Sequence, residues 1–328
     1  MADELKLAII GCGSFSYNFL YDTTKPLPVR LVGASDPNAE SLARFTARYN
    51  VPRTYADYRE MLAREKPQVV LAFPQGLSLY EVNKACLEAG ANVFTERPGA
   101  ETREQVADLA RVEERTGRFV LPRFNKRYIP AYQMAREIIG RPEFGGPTMY
   151  LAKYHAGEYA NEQTFLESHI VHHVDLARFY LGAIKSIRGD IVRIGPKLVG
   201  VNASFTAESG AVGVLQSSSL QSRGSYPLEQ VEITGRQRCV IVDNLTRIEY
   251  HRPGSPKTGA ERPVLADGGD SLVWDPSMTQ LGNYSHNGFE HMVQELVSCT
   301  REGRTPELHM SDAVLTLELL DRLVASLR

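Results

Sequence analysis

Short apolar runs alternate with amphipathic segments through the first third of the chain. The apolar runs have the length of buried strands, and the segments between them repeat apolar residues at helical spacing. The predicted strands are Leu5–Ile10, Val29–Ala34, Val69–Phe73, Ala91–Thr95 and Arg118–Leu121. The predicted helices are Ala39–Tyr49, Tyr58–Glu65, Leu79–Ala89 and Arg103–Thr116. Strands that alternate with helices of this length favour a doubly wound parallel sheet in an α/β domain.

The pattern changes after residue 122. Helices are predicted at Tyr128–Ile139 and Phe165–Leu181, on either side of a strand at Thr148–His155. From Ile184 to Tyr250 the pattern predicts mostly extended chain. Successive strands with few helices between them favour an open, mainly antiparallel sheet with helices on one side.

The last part of the chain predicts a loop and two helices. Residues 251–285 are rich in Pro, Gly and Asp, which is typical of a long surface loop, and they include the single tryptophan, Trp274. Helices at Asn287–Glu302 and Ser311–Leu327 follow. We therefore predict an α/β domain over residues 1–122 and an α+β domain over 123–328. The last helix is expected to pack near the first domain.

Charge and cysteine content narrow the class of partner. The 328 residues include 37 Lys and Arg against 39 Asp and Glu, a net charge of −2. No basic excess is present to neutralise nucleic acid or an anionic membrane, so a small molecule is the expected partner. The four cysteines are far apart in sequence and predict neither a zinc site nor a disulfide framework. The acidic start of the chain and the lack of a long apolar stretch predict a soluble, cytoplasmic protein.

A glycine-rich turn follows the first predicted strand directly. Gly11-Cys12-Gly13-Ser14-Phe15-Ser16 has the form G-x-G-x-x-S. The first glycine permits a tight turn, the second lets the backbone approach a pyrophosphate, and the third position needs only a small residue. The N–H groups at the start of the next helix add partial positive charge. In a strand–turn–helix context this motif predicts a Rossmann-type dinucleotide site that includes Gly11, Gly13, Ser14 and Phe15.

Asp36 ends the second predicted strand, about 23 residues after Gly13, near the ~20-residue spacing of an acid that binds the cofactor ribose. A carboxylate there accepts hydrogen bonds from the ribose hydroxyls of NAD and repels the 2′-phosphate of NADP. Arg44 lies close enough in sequence to reach such a phosphate, so NADP remains an alternative. Asp36 can also serve as part of a turn and helix cap at Asp36-Pro37-Asn38.

Four segments resemble the glucose–fructose oxidoreductase / inositol dehydrogenase family (Gfo/Idh/MocA). They are Thr95-Glu96-Arg97-Pro98, the stretch from Arg123 to Pro130, His172-His173-Val174-Asp175 with Gly182, and the C-terminal TREGRTPELHMSDAVLTLELL. The resemblance implies that residues 1–122 form a Rossmann dinucleotide-binding domain, and that residues 123–328 form a domain with an open sheet for substrate binding and oligomerisation. It also implies self-association through that sheet, as a homodimer or homotetramer.

The resemblance further implies site residues. Pro74, Glu96 and Arg97 match positions near the cofactor, and His172 matches the active-site histidine. Asn125, Arg127 and Tyr128 match a segment expected near the substrate, although Asn125 and Arg127 can instead tie the two domains together. Lys153 is a further candidate substrate contact, with a solvated strand lysine as the alternative.

Two positions depart from the family pattern. The usual lysine is Arg97, and the usual aspartate four residues before the histidine is Ser168. An arginine stays protonated and binds an oxyanion firmly, but it does not shuttle protons. His172 is therefore the remaining acid/base candidate, with a core histidine as the alternative. His169 is a candidate substitute for the missing carboxylate.

His169, His172 and His173 share one helical stripe that has the spacing of zinc ligands. The glutamate of an H-E-x-x-H motif is missing, so no metal is expected. The leading functional hypothesis is an NAD(P)-dependent oxidoreductase that moves hydride between nicotinamide and a sugar, cyclitol or related polyhydroxylated metabolite. The alternatives are a dinucleotide-binding protein without dehydrogenase activity, and a redox-neutral or imine-reducing enzyme, because the usual lysine and aspartate are replaced.

Overall fold

The computed structural model describes residues 4–221, 228–253, 271–274 and 287–328. The chain forms two compact units, Met1–Asn125 with Asn287–Leu317, and Lys126–His286 with Glu318–Arg328. The division into two functional domains, over residues 1–122 and 123–328, stays a prediction. No helix in the described ranges is long and apolar enough to cross a bilayer.

The first unit is built on a six-stranded parallel sheet in the order β3-β2-β1-β4-β5-β6. Its strands are β1 Leu5–Ile10, β2 Val29–Ser35, β3 Thr54–Tyr55, β4 Val69–Ala72, β5 Asn92–Thr95 and β6 Val120–Pro122. β4 and β5 are fully buried, as expected of central strands covered on both faces. The strand order reverses between β1 and β4, and ligands bind such sheets at this point, beyond the carboxyl ends of the strands.

The helices of this unit are α1 Ala39–Tyr49, α2 Tyr58–Glu65, α3 Leu79–Glu88, α4 Arg103–Thr116 and α8 Phe289–Glu302. Local sequence fixes their ends. Asn38 caps α1 by accepting from the Ser41 N–H, and Thr102 and Gln105 form a reciprocal capping box at the start of α4. Gly117 ends α4 in a left-handed conformation.

Three polar contacts attach the C-terminal segment of this unit to its sheet and helices. The side-chain amide of Asn92 donates to Thr300 at 2.9 Å. The buried carboxylate of Glu113 contacts His309 Nδ1 at 3.0 Å and accepts from the N–H of Met310. Met310 begins the last helix, α9 Met310–Ser326. Residues close to the C-terminus thus complete a unit that begins at the N-terminus.

The second unit contains an eight-stranded sheet in the order β14-β13-β12-β11-β7-β10-β9-β8. The strands are β7 Met149–His155, β8 Ile184–Arg193, β9 Val199–Ala207, β10 Val212–Ser218, β11 Leu228–Thr234, β12 Cys239–Asp243, β13 Arg247–His251 and β14 Ser271–Trp274. All neighbouring pairs are antiparallel except β7 with β10. The prediction of an open, mainly antiparallel sheet is confirmed.

Trp274 is not in a loop as predicted. It belongs to β14, which pairs with β13 through Trp274 and Ile248. The surrounding Pro, Gly and Asp residues have the composition of a loop, so composition did not predict this short strand. Residues 254–270 and 275–285 of the predicted loop lie outside the described residues.

The helices of the second unit are α5 Pro130–Ile139, α6 Glu162–Phe165 and α7 Val171–Leu181. A π-helical turn, Leu166–Ile170, joins α6 to α7, so the predicted helix over 165–181 is one helical stretch that begins three residues earlier. The side chains of β7 alternate between the two faces of the sheet. Ala152 is buried, whereas Met149 is 57% and Leu151 37% exposed on the opposite face.

Candidate active site

Gly11 is required by the packing of the protein itself. Its φ is +91°, and a Cβ there would lie 2.2 Å from the carbonyl oxygen of Phe73. Its N–H donates to Ser35 at 2.9 Å. The turn after β1 is therefore held tightly between the ends of β2 and β4.

Gly13 is different, because nothing in the surrounding protein excludes a side chain. A Cβ there would meet only side-chain atoms of Gln75, at 3.5 Å, which is ordinary contact. Its φ also lies outside the left-handed region. Because the protein itself leaves room for a side chain here, the glycine fits a position where a ligand approaches the backbone, as the pyrophosphate of a dinucleotide does. Ser14 and Phe15 begin the helical turn that follows, and Ser16 is buried where the third glycine usually lies.

The carboxylate of Asp36 is fixed beside this loop. One oxygen accepts from the N–H of Cys12 at 2.7 Å, and the other accepts from the N–H of Asn38 at 2.8 Å. Asp36 therefore joins the end of β2 to the glycine loop and also supports the start of α1. The guanidinium of Arg44 lies over the ring of Tyr17, 4.6 Å from its centroid.

Glu96, at the end of β5, holds two arginines. Its Oε1 accepts from Arg97 Nη1 at 2.9 Å and from Arg123 Nη2 at 2.7 Å, and its Oε2 accepts from Arg123 Nε at 2.9 Å. The side chain of Arg97 is only 12% exposed. Pro74 lies two residues beyond the end of β4, and its backbone nitrogen lies close to Gly11. A permanent cation is thus positioned at the carboxyl end of the sheet, where the parallel-sheet rule places ligands.

The three histidines lie on the buried helical stretch of the second unit, but they do not converge on one point. His172 is 7% exposed, and His169 and His173 are fully buried. His173 Nε2 lies 3.2 Å from Glu229 Oε1, whereas both ring nitrogens of His169 contact tyrosine residues. Among the described residues no group of three or more His, Cys, Asp or Glu side chains is placed to hold a metal ion.

His169 contacts two tyrosines and is stacked between aromatic rings. Its Nδ1 is 2.9 Å from the hydroxyl of Tyr159, and its Nε2 is 3.1 Å from the carbonyl oxygen of Tyr154. The ring stacks on Tyr154 at 3.6 Å and on Phe165 at 5.1 Å between centroids. Burial lowers the pKa of His169 to about 3, so the imidazole is neutral at physiological pH. These contacts do not support a proton relay from His169 to His172.

A buried charged cluster lies next to the histidines. Lys126 Nζ is 2.5 Å from Glu229 Oε2, and the hydroxyl of Tyr132 donates to Oε1 of the same carboxylate. Burial raises the pKa of Glu229, but the charge of Lys126 and the hydrogen bond with His173 outweigh burial and hold it well below the ordinary value. Burial also lowers the pKa of His173. Glu229 is thus a buried anion that organises three elements.

The structure separates the predicted substrate residues. Arg127 is buried in a bidentate pair with Asp175, with Nε to Oδ2 at 2.7 Å and Nη2 to Oδ1 at 2.5 Å. Asn125 donates its side-chain amide to the carbonyl of Asn287 at 2.9 Å. Tyr128 is half-buried. Lys153 is exposed on the face of the sheet opposite Tyr154 and the histidines.

Sequence reasoning missed Glu229 and Tyr159. Glu229 is in phase with Val231 and Ile233 on the buried face of β11. A carboxylate on the same strand face as buried apolar residues indicates that it has a buried polar or charged partner. Tyr159 lies between a strand and a helix, and no local pattern distinguished it.

Comparison with known proteins agrees with this geometry. Residues 5–124 match the Gfo/Idh/MocA family model, described as an oxidoreductase family with an NAD-binding Rossmann fold. A D-apiose dehydrogenase from Paraburkholderia graminis is 26% identical, with 99% of this chain and 88% of that protein covered. A scyllo-inositol 2-dehydrogenase (NAD(+)) from Bacillus subtilis is 24% identical, with 97% and 93% covered.

The fold is shared with solved structures along the whole chain. A dehydrogenase from Chromobacterium violaceum superimposes with a TM-score of 0.87 at 20% identity, covering 98% of this chain and 95% of that one. The resemblance stated from the sequence is therefore confirmed for the family, for the two-part fold and for NAD as cofactor. Residues 5–124 thus match the Gfo/Idh/MocA family of NAD-binding oxidoreductases, and relatives that match almost the whole chain are named as dehydrogenases.

Proposed function

We propose that the protein is an NAD-dependent dehydrogenase of a polyhydroxylated substrate, either a sugar or a cyclitol. The observation that carries this proposal is the permanent cation at the end of β5, where Glu96 holds Arg97 at the carboxyl edge of the parallel sheet. Near-full-length similarity to dehydrogenases named for D-apiose and scyllo-inositol supports the substrate class.

Each residue of the proposed machinery has a separate role. The loop from Gly11 to Phe15 binds the pyrophosphate, and Asp36 accepts from the ribose hydroxyls. Bound NAD supplies the hydride acceptor, or the donor when it is reduced. Arg97 stabilises negative charge on the substrate oxygen, because a fixed guanidinium favours an alkoxide over a neutral hydroxyl. His172 exchanges the hydroxyl proton, since an imidazole titrates close to neutral pH.

The test is His172→Ala, assayed with NAD and with D-apiose, scyllo-inositol and myo-inositol. Removing a general base is expected to lower kcat by about 10²–10⁴-fold. Calorimetric titration of NADH should give an affinity close to that of the parent. His251→Ala is the matched control, because His251 lies on β13 with a side chain that is 43% exposed. Full activity of the His172 variant would remove this residue from the mechanism.

A second candidate function follows from the replaced lysine. Arginine does not donate a proton, so a protein that binds NAD without acting as an alcohol dehydrogenase, or one that catalyses a redox-neutral or imine-reducing reaction, is consistent with Arg97. The distinguishing experiment is Arg97→Lys. Polyol dehydrogenase activity that appears only in the lysine variant favours this second function, whereas activity in the parent favours the first.

We also propose that the exposed face of the eight-stranded sheet mediates self-association. Met149, Leu151, Val212 and Val214 are exposed there on two adjacent strands. A contiguous apolar face of this kind is typical of a protein interface. Light scattering should find a dimer or tetramer for the parent and a monomer for Met149→Glu combined with Val214→Glu. Leu315→Glu, on an exposed helix position, is the control, and a monomeric parent would refute the proposal.

A further inference from the structure

The contacts of His169 fix which of its nitrogens carries the proton. Nε2 lies 3.1 Å from the carbonyl oxygen of Tyr154, and a carbonyl can only accept a hydrogen bond. Nε2 is therefore protonated. Because burial keeps the ring neutral, Nδ1 carries a lone pair.

The polarity of the next hydrogen bond follows from this tautomer. The hydroxyl of Tyr159 lies 2.9 Å from Nδ1, so Tyr159 must donate and His169 must accept. The stack on Tyr154, with rings only 3° from parallel, opposes rotation of the imidazole. The single proton of the Tyr159 hydroxyl is thus directed at His169. Any further hydrogen bond to its oxygen is one that Tyr159 accepts.

Tyr159 is more accessible than its partner His169, and His169 lies about one helical turn before the proposed acid/base residue. Tyr159 is half-buried between β7 and α6, whereas His169 is fully buried. His169 precedes His172 by three residues on the same helical stretch, a spacing that places side chains about 5–6 Å apart at Cβ. A polyol whose reacting hydroxyl meets His172 carries a further hydroxyl on the adjacent carbon, which a side chain held by His169 can bind.

We propose that Tyr159 is a substrate-binding residue that accepts a hydrogen bond from a hydroxyl next to the reacting carbon, and that His169 is the positioning residue that fixes this polarity. The inference rests on the proposed polyol dehydrogenase function. It assigns the substrate class more narrowly, as a vicinal polyol with a free hydroxyl rather than a deoxy, keto or ether group at that position.

The kinetic test uses Tyr159→Phe with scyllo-inositol or D-apiose, whichever the parent oxidises. Loss of one neutral hydrogen bond should raise KM roughly tenfold and leave kcat within about twofold. The parent should discriminate against the monodeoxy analogue, and the variant should not. Tyr250→Phe is the matched control, because its hydroxyl also holds a side chain, Arg238, but lies on β13. An unchanged KM for Tyr159→Phe would overturn the inference.

A second measurement is independent of turnover. In ¹⁵N-histidine-labelled holoenzyme, the signals of His169 should show a protonated Nε2 and an unprotonated Nδ1 between pH 6 and 8. Tyr159→Phe should shift the Nδ1 resonance only. A protonated Nδ1 would overturn the assignment even in an active enzyme. If the parent oxidises no polyol, the proposed function fails, and this spectrum still decides the polarity of Tyr159.

Discussion

Replacing each glycine of the loop by alanine separates folding from cofactor binding. At Gly11 alanine must adopt φ +91°, which costs about 1–2 kcal/mol. Its Cβ would also lie 2.2 Å from the carbonyl oxygen of Phe73 and 2.7 Å from the nitrogen of Pro74. Both are backbone atoms, so the end of β4 must move, at about 1–3 kcal/mol. We expect a total loss of ~2–5 kcal/mol in the free energy of unfolding.

At Gly13 the same substitution meets no obstacle within the protein. The nearest atoms belong to the flexible side chain of Gln75 at 3.5 Å. Replacing glycine at a permissive φ stabilises a protein by ~0.4–1 kcal/mol, because it restricts the unfolded chain. The new methyl group would lie where the pyrophosphate is expected, so NADH affinity should fall about tenfold or more, equivalent to ~1.4 kcal/mol.

Thermal denaturation and calorimetric titration of NADH distinguish the two effects. Gly11→Ala should lower the Tm by roughly 5–20 °C, at ~2–4 °C for each kcal/mol. Gly13→Ala should keep the parent Tm and lose affinity for NADH. A Gly13 variant that binds NADH like the parent would refute the assignment of this loop to the pyrophosphate. Equal loss of stability in both variants would refute the packing argument for Gly11.

Three further predictions concern charge. Asp36→Asn should weaken NADH binding about tenfold or more, because charge-assisted hydrogen bonds contribute ~1.5–3 kcal/mol. It should also reduce the preference for NADH over NADPH. Calorimetric titration of both nucleotides measures the two effects. Lys126→Met should cost about 3–5 kcal/mol in urea denaturation because it leaves the buried Glu229 carboxylate without its cationic partner, and adding Glu229→Gln should recover part of that loss. A loss in the double variant equal to the sum of the two single losses would contradict the coupling. The folded pKa of His169, about 3, lies below the unfolded value of 6.5, so its contribution is complete above pH 6.5 and is lost as the pH falls toward 3. Between pH 6.5 and 5 the loss should be about 2 kcal/mol, and His169→Phe should show a smaller pH dependence.

Helix boundaries followed from local chemistry where caps were present. The predicted ranges Ala39–Tyr49, Tyr58–Glu65 and Arg103–Thr116 are those observed, because polar caps and left-handed C-terminal residues mark their ends. The strand Thr54–Tyr55 was missed, since two residues carry no periodicity. The parallel pairing of β7 with β10 depends on tertiary contacts between distant segments, which a local pattern does not encode.

The candidate site was predictable where backbone geometry dictates residue type. Glycines at Gly11 and Gly13 and the acid at Asp36 follow from turn and ribose chemistry, so their spacing was informative. The roles of Arg127 and His169 could not be predicted from local sequence, because each depends on partners that are distant in the chain. Asp175 engages the guanidinium of Arg127, and two tyrosine residues engage the imidazole of His169.

The contact between Glu113 and His309 has a consequence for the order in which the newly made chain folds. The two residues are separated by 196 positions, yet both belong to the unit that contains the N-terminal sheet. At a synthesis rate of about 5–20 residues per second, His309 is synthesised roughly 10–40 s after Glu113. For most of that interval the nascent first unit also lacks α8, which packs against β4 and β5. Maturation of the nucleotide-binding unit is therefore coupled to completion of translation, and a ribosome that stalls before residue 309 leaves this unit incomplete.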